Sequence, residues 1–572
     1  MHKRIFASLH NFLEDGHVLG RNVVCKSFLQ ALFRLDPFDE YAFFLHDPKA
    51  MDNQLEQLTE LSALKRAAVH IYPRQHFVSG MLSEDLYCLH LADPVSDQPQ
   101  AAFLRNRFSR RLFPITSVPH SLNYLNYPSA FLQQIWPGAC SRDIICASSR
   151  AAQAVLSGYF SMLRDNYKLP DDWHEPEIRL LPLGIDCQRF APADENGRKR
   201  ARQKLGIPEK SVCCLCHGRL AVDDKMDLLP LLYAARRVLD EDQAPDLHIL
   251  ISGRHREHDN YPEVLDTVAK NLKIPLTLLL DPNAQAMHEA FACADFFLSI
   301  SDNVQETFGL TLLEAGASGL ACIASDWDGY RDIIDDQQSG WLIPTVAPRD
   351  TPRLNALAYG LPENIHELLR AQQTVINVPS LANAISRLAR DPALRNAMGA
   401  CARKRMLTHF DWSVIVEAWL KILEEAYAAK ITPFEQARLA TAEHPAFLNF
   451  AQLFTRHPSY CPHTAELGQK EIRLSTRGLK VLQKKALPVT WNNLELCLQG
   501  LDIRKLLVLA RHPISIAKLL SRLCETKISQ ESGQFAVLWA LKHDLLEFAS
   551  NETHKKSNGS KKNTCQDKEK RI

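Results

Sequence analysis

Short strand-like runs alternate with helical ones along the first 190 residues: RIFASLH, then NVVCKSFLQALFRL, then EYAFFLH, LKRAAVHIYP, DLYCLHLAD, FPITSVPH, and DIICASS followed by RAAQAVLSGYF. Strands that alternate with helices are joined by crossovers, and crossovers build parallel sheets. The pattern pauses around IRLLPLGIDCQRFAP (178–192), where a strand ends in a turn with Pro and Gly, and the charged segment ADENGRKRARQKLGIPEK follows. A second series then starts: SVCCLCHGRL, DLLPLLYAARRVLDE, DLHILISGR, IPLTLLLD, AMHEAFACADFFLSIS, QETFGLTLLEAGASG, ACIASD and SGWLIPT. The fold class is therefore α/β, with two Rossmann-like parallel-sheet domains, 1–190 and 191–410, facing a cleft. Ligands of such sheets bind beyond the carboxyl ends of the strands.

After an insertion near 346–375, the stretch from SLANAISRL onward is apolar at i, i+3 and i+4, which predicts helices, and 411–430 reads as a closing helix. An extra, mostly helical domain is expected over 440–550, where KEIRLSTRGLKVLQKK could belong to a small winged-helix-like unit. The last 22 residues, 551–572, are polar, basic and without aromatics, the composition of a disordered tail.

The 572 residues exceed what one core can hold. Lys plus Arg (67) balance Asp plus Glu (66), so no overall bias points to nucleic acid. MHKRIFASLHNFLEDG is too short and too polar for a signal peptide, and no run of about 18 apolar residues marks a membrane span, so a cytoplasmic setting is expected. The fifteen cysteines show no paired spacing. In VCCLC, strand alternation turns Cys214 and Cys216 to one face and Cys213 to the other, which makes them strand residues rather than a metal set with His217.

The segment DFFLSISDNVQETFGLTLLEAGASG reads as strand, loop and helix, with the helix starting near Gly309. A helix N-terminus after a glycine turn presents unpaired N–H groups and a positive dipole end, which suit a diphosphate. Glu306 before the turn could reach neutral hydroxyls beyond the phosphates, and Glu314 within the first turns could accept from a ribose diol. Upstream, Gly218, Arg219 and Lys225 follow the first strand of the second domain. There the cations could neutralise a diphosphate and Gly218 would let the backbone approach.

Set in order, FPITSVPHSL, IICASSRAA, LLPLGIDCQRFAP, HGRLAVDDKMDLL, DLHILISG, ETFGLTLLEAGASG, SGWLIPT and the helix after FDW make the chain resemble the nucleotide-sugar glycosyltransferases of the GT-B fold. The resemblance is to the retaining, bacterial type of family 4 (group 1) and covers residues 1 to about 428. It implies that Glu306 contacts the donor sugar and that Glu314 holds the ribose. Arg219 and Lys225 would bind and stabilise the leaving diphosphate, with amides of Phe308, Gly309 and Leu310 facing it. His120 would lie beside the donor sugar near the reacting centre; read from the residues alone, it could equally be a strand-end histidine bonded to backbone. The donor would be a UDP-, GDP- or ADP-sugar, used as substrate, with no cofactor and no metal required. The acceptor would be a glycan, lipid-linked or small molecule.

The chain departs from the family pattern at three places. One extra residue separates Gly218 from Lys225; Gly16 and Gly20 stand apart in EDGHVLGRN, where adjacent glycines are usual, so acceptor binding near Gly20 is a weak expectation; and DGY (328–330) replaces a glycine-rich turn. Asp326 and Asp328 imitate a metal-binding carboxylate pair but follow a late strand of a parallel domain, where that role does not belong. A nucleotide-sugar epimerase or a phosphorolytic enzyme could share this architecture, and a non-catalytic binding role could reside in 440–550. Within 502–524, Arg504, Lys505, Arg511, Lys518 and Arg522 lie among apolar residues, so peripheral contact with the cytoplasmic membrane face is a further expectation.

Overall fold

The computed structural model describes residues 3–13, 20–56, 58, 63–256, 258–488, 491, 494–498, 502–526 and 528–549. Gly16 and the basic tail 551–572 therefore lie outside the described residues. The chain divides into two compact units, Met1–Ala446 and Phe447–Ile572.

The first unit holds two parallel sheets. One is built from β1 (Ile5–Ser8), β2 (Glu40–Leu45), β3 (Val69–Pro73), β4 (Leu86–Leu91), β5 (Ile115–Ser117), β6 (Asp143–Ala147) and β7 (Glu177–Leu180), in the order β3-β2-β1-β4-β5-β6-β7. The other holds β8 (Val212–His217), β9 (Leu247–Gly253), β10 (Leu276–Leu280), β11 (Phe296–Ser299), β12 (Ala321–Ser325) and β13 (Gly340–Ile343), ordered β10-β9-β8-β11-β12-β13. In both, the order reverses direction beside the first strand, the switch point where doubly wound sheets open a crevice. Helices cover both faces of these sheets, so central strands read as continuous apolar runs. β8 is an example: Cys213 packs into one buried cluster, and Cys214 and Cys216 into another.

The chain crosses between the sheet domains twice, and the crossings run side by side. Ile185 N–H donates to the Phe410 carbonyl (2.8 Å), and Trp412 N–H donates to that of Ile185 (3.1 Å). Asp411 caps the helix Trp412–Ala428, which packs back on the first sheet, with Trp419 against Phe28 at 5.5 Å and its indole N–H donating to Thr116 (3.1 Å). The expected closing helix is this one. The insertion forms two helices, Pro352–Leu357 and Glu363–Ala371, between β14 (Thr345–Val346) and β15 (Val375–Ile376), which pair antiparallel.

The second unit has its own core around Ile472, Leu506, Leu519 and Val537. KEIRLSTRGLKVLQKK contains β16 (Glu471–Leu474), which pairs antiparallel with β17 (Ile514–Ser515) and β18 (Leu546–Phe548). Within 502–524 the apolar residues Leu506, Leu507, Ile516, Leu519, Leu520 and Leu523 are buried, while the five basic residues stay exposed. Besides this charge the segment presents Val508, 58% exposed, to solvent.

Candidate active site

The helix Leu310–Ala317 starts after β11, with Gly309 at its N-cap. Gly309 has φ of +122°, which L side chains rarely adopt, and a Cβ there would come 2.6 Å from the Tyr330 ring. Gly329 closes the same turn from the other side, since a Cβ on it would press on the Phe308 backbone at 2.6 Å. The DGY triplet is therefore the buttress of the Phe308-Gly309 turn, holding the helix end that the sequence marks for phosphate.

Glu306 precedes that turn and pairs with Lys225, both side chains nearly buried. Tyr330 Oη donates to Glu306 (3.3 Å) and shares a hydrogen with Ser299 (2.7 Å), and Phe308 N–H donates to Glu306 Oε1 (3.4 Å). Burial works to raise the Glu306 carboxyl, but Lys225 and these bonds outweigh it and hold the group below its ordinary range. The Phe308 amide is thus occupied by Glu306, unlike the amides of Gly309 and Leu310, for which no such side-chain bond is seen among the described residues. Glu314 lies in the same helix, and burial pushes its carboxyl up to about 7, opposed in part by Arg189 and Lys225.

Gly218 follows β8 with its N–H on the Ser252 carbonyl (3.0 Å). The loop that follows carries Arg219, which donates to Asp224 (2.9 Å). Arg256 clamps the same loop through Asp223 (2.5 Å) and Asp224 (2.6 Å). Lys225, at the end of this clamped loop, reaches Glu306. Each predicted cation thus rests on a carboxylate that an incoming anion would have to replace.

The first domain faces this constellation. His120 sits after β5 with its carbonyl accepting from Thr307 Oγ1 (3.0 Å) and its Nε2 3.9 Å from Cys25 Sγ. The ring lines a largely apolar cavity with Phe12, Phe28, His90 and Trp412, and burial pushes it down to about 3, so it is neutral at physiological pH. A Cβ on Gly20 would lie 3.5 Å from Leu310, which places the start of helix Gly20–Leu35 at the phosphate-side turn. Ser148 Oγ donates to the Thr307 carbonyl (3.3 Å), Ser149 Oγ to Asp328 (3.2 Å), and Arg150 to Asp332 through backbone and guanidinium (both 2.7 Å). These contacts join the two sheet domains directly across the cleft. Asp326 turns away to Arg331 (2.5 Å), so Asp326 and Asp328 have separate partners and do not converge.

Sequence reasoning missed Tyr330, the Asp223–Arg256–Asp224 clamp and the reach of the insertion. Asn364 donates to Asp223 (3.3 Å), Gln372 donates to Asp227 (3.1 Å), and Asn123 of the first domain donates to Glu367. The insertion therefore ties the loop after β8 to the first domain. DGY was the available signal for Tyr330; nothing local to Glu367 or Asn123 marks them.

Residues 197–356 match the family of group 1 glycosyl transferases. A D-inositol 3-phosphate glycosyltransferase of Geodermatophilus obscurus is 34% identical over 179 residues, 30% of this chain and 38% of that protein. A GDP-mannose-dependent monoacylated alpha-(1-6)-phosphatidylinositol monomannoside mannosyltransferase of Corynebacterium glutamicum is 25% identical over 258 residues, 44% of this chain and 56% of that protein. The chain thus spans between about two-fifths and a little over half of these curated relatives. Anabaena HepE, crystallised with UDP, shares the fold with a TM-score of 0.51 at 15% identity, covering 74% of this chain and all (100%) of that one. A glycosyltransferase from Rickettsia africae has a TM-score of 0.50 at 14% identity, covering 75% of this chain and 100% of its own. The group 1 glycosyl transferase match at residues 197–356 thus falls on the sheet domain that carries this turn, and the two Rossmann-like sheets have the GT-B arrangement of these solved structures.

Proposed function

We propose that the chain transfers a sugar from a nucleoside-diphosphate sugar to an acceptor hydroxyl, with retained anomeric configuration, as a bacterial family 4 enzyme of polysaccharide, glycolipid or cell-envelope glycan synthesis. The observation that carries this reading is the Lys225–Glu306 pair at the turn opening helix Leu310–Ala317, with Glu314 half-buried in that helix. A diphosphate at the helix end would take Lys225 and Arg219 from their carboxylates, freeing Glu306 for sugar hydroxyls, while Glu314 accepts from the ribose. Donor classes are suggested by the relatives: one is named GDP-mannose-dependent, and HepE was crystallised with UDP. An ADP-sugar is the third candidate.

In the reaction the bond from the anomeric carbon to the diphosphate oxygen breaks, and its electron pair leaves with the diphosphate. Arg219, Lys225 and the helix end stabilise that charge, so no metal is called for. A double displacement would require a carboxylate beneath the sugar. Glu306, once released from Lys225, is committed to the sugar hydroxyls and Asp328 to Ser149, so we favour attack from the leaving-group face. The acceptor oxygen bonds the anomeric carbon and its proton passes to the departing diphosphate. Neutral His120, set beside Thr307, can hold a sugar hydroxyl but adds no cation. The contacts of Ser148, Ser149 and Arg150 with the second domain would keep water from the donor.

The acceptor is a glycan, a lipid-linked molecule or a small molecule, and the exposed bases of 502–524 would favour one held at the cytoplasmic face of an anionic membrane. Among the described residues no helix is long and apolar enough to cross a membrane. The test is nucleoside diphosphate release from a panel of UDP-, GDP- and ADP-sugars, with Glu306→Ala and Arg219→Ala beside the parent chain. One donor should turn over, both variants should lose at least about a hundredfold in rate, a loss of the size seen when a charge-stabilising group is removed, and the product should keep the donor's anomeric configuration. Inverted product, or variants that match the parent, would sink the proposal.

A further inference from the structure

Leu448, Phe450, Leu453 and Phe454 stand on the surface of the second unit, 63%, 65%, 62% and 42% exposed. Asn449 caps the single helical turn Phe450–Leu453, and the Phe450 and Phe454 rings stack at 5.7 Å. The turn fixes these side chains outward. An exposed cluster of large apolar residues marks a surface that meets something else.

The charge around the strip indicates what. No Asp or Glu occurs between Glu443 and Glu466, and Arg456 follows the strip at once. Residues 447–549 carry fourteen Lys and Arg against eight Asp and Glu, in a chain whose net charge is +1. A second group has the same make-up: Lys484 and Lys485 are exposed beside Leu487 and Trp491, which are 80% and 70% exposed.

We propose that the second unit docks on an anionic lipid bilayer through the strip 448–454, its Phe and Leu side chains entering the interface while Arg456 and the exposed lysines face the headgroups. Aromatic rings settle at headgroup depth, and buried apolar area adds to the attraction between basic residues and anionic lipid. A second copy of so basic a unit would be repelled. A nucleic acid would gain little from Leu448 and Leu453, and the longest helix of the unit, Gln530–Lys542, exposes Gln530, Glu531, Leu538 and Lys542 rather than a basic row. Leu506, Leu507, Ile516, Leu519, Leu520 and Leu523 are in the core, which leaves 502–524 with its charge and Val508 at the surface and no aromatic to insert. None of this depends on the reaction proposed above.

The experiment is co-sedimentation of the full chain with vesicles of phosphatidylcholine alone and of phosphatidylcholine with 30% phosphatidylglycerol (a chosen composition of about one anionic lipid in three). Binding is expected to the anionic vesicles, weakened by salt. The double variant Phe450→Ser, Phe454→Ser should lose about tenfold or more in partitioning while its melting temperature stays unchanged, because the rings support no core. Lys484→Glu with Lys485→Glu should weaken binding to anionic vesicles alone. Three results overturn the proposal: no pelleting with either vesicle; undiminished pelleting of the phenylalanine variant; or, in place of pelleting, tight binding of a duplex oligonucleotide or a dimer in sedimentation velocity that the phenylalanine substitutions dissolve.

Discussion

Glu306 and Glu314 stand eight positions apart in the sequence, and the fold shifts their carboxyls in opposite directions. Lys225 keeps the first ionised, and burial pushes the second up to about 7. A hydroxyl donating to Glu314 favours its carboxylate, so nucleotide binding should release a proton from this group. The sign follows from linkage. Because the free carboxyl titrates near 7, affinity is full above that pH and falls as the pH drops through it. Between pH 7.5 and pH 6 the loss should be about eightfold, the change in ionised fraction for a group with pKa near 7. Nucleotide phosphates titrate in this range too, so the quantity to measure is the difference in slope between the parent chain and Glu314→Gln by calorimetry. Equal slopes would remove Glu314 from the ribose role. The same burial costs stability to the unliganded fold: a raised carboxyl is best tolerated protonated, so its contribution worsens as pH climbs from the ordinary carboxylate range to about 7 and is constant beyond.

The element that matters most is the turn from Thr307 to Gly309, and its shape rests on its own Gly309, the distant Gly329 and a tyrosine. Gly309→Ala would force φ of +122° on a residue with a Cβ and drive that atom toward Tyr330. Strain of this kind costs about 1–3 kcal/mol, and displacing Tyr330 also loosens its bond to Glu306. A lowered melting temperature with donor turnover reduced at least about tenfold is expected, the counterpart of about 1.4 kcal/mol at the transition state. Adding Tyr330→Ala removes the collision but not the backbone strain, so stability should return only in part; full recovery would show that φ is irrelevant. This turn was legible in the sequence because glycine, a preceding strand and a following helix are adjacent in the chain. The parallel sheets were legible for a related reason: strands covered on both faces, such as VCCLC, print themselves as unbroken apolar runs. The insertion was visible only as an interruption. Its function as a tie depends on Asn123 meeting Glu367, 244 positions away, and no local pattern encodes such a meeting. The occupation of the Phe308 amide by Glu306 was equally hidden, since it depends on the rotamer of one side chain.

At the scale of the whole molecule, the core around Ile472 and Val537 is built from second-unit residues alone, while the other buried clusters belong to residues before 447. Units that each bury a core of their own can unfold in separate transitions. Calorimetry should therefore resolve a small transition from a larger one. The small one, for about 100 residues, should carry an enthalpy near 70 kcal/mol, at about 0.7 kcal/mol per residue. A ligand raises only the transition of the unit it binds, by about 2.7 kcal/mol at a hundredfold excess over Kd. The nucleoside diphosphate that serves the enzyme should thus move the large transition and leave the small one in place, and phosphatidylglycerol vesicles should do the reverse. If the nucleotide moved both together, the two units would unfold as one body and share their stability. If it moved the small one alone, the nucleotide would bind beyond residue 446, and the cleft at Gly309 would lose its claim to the donor.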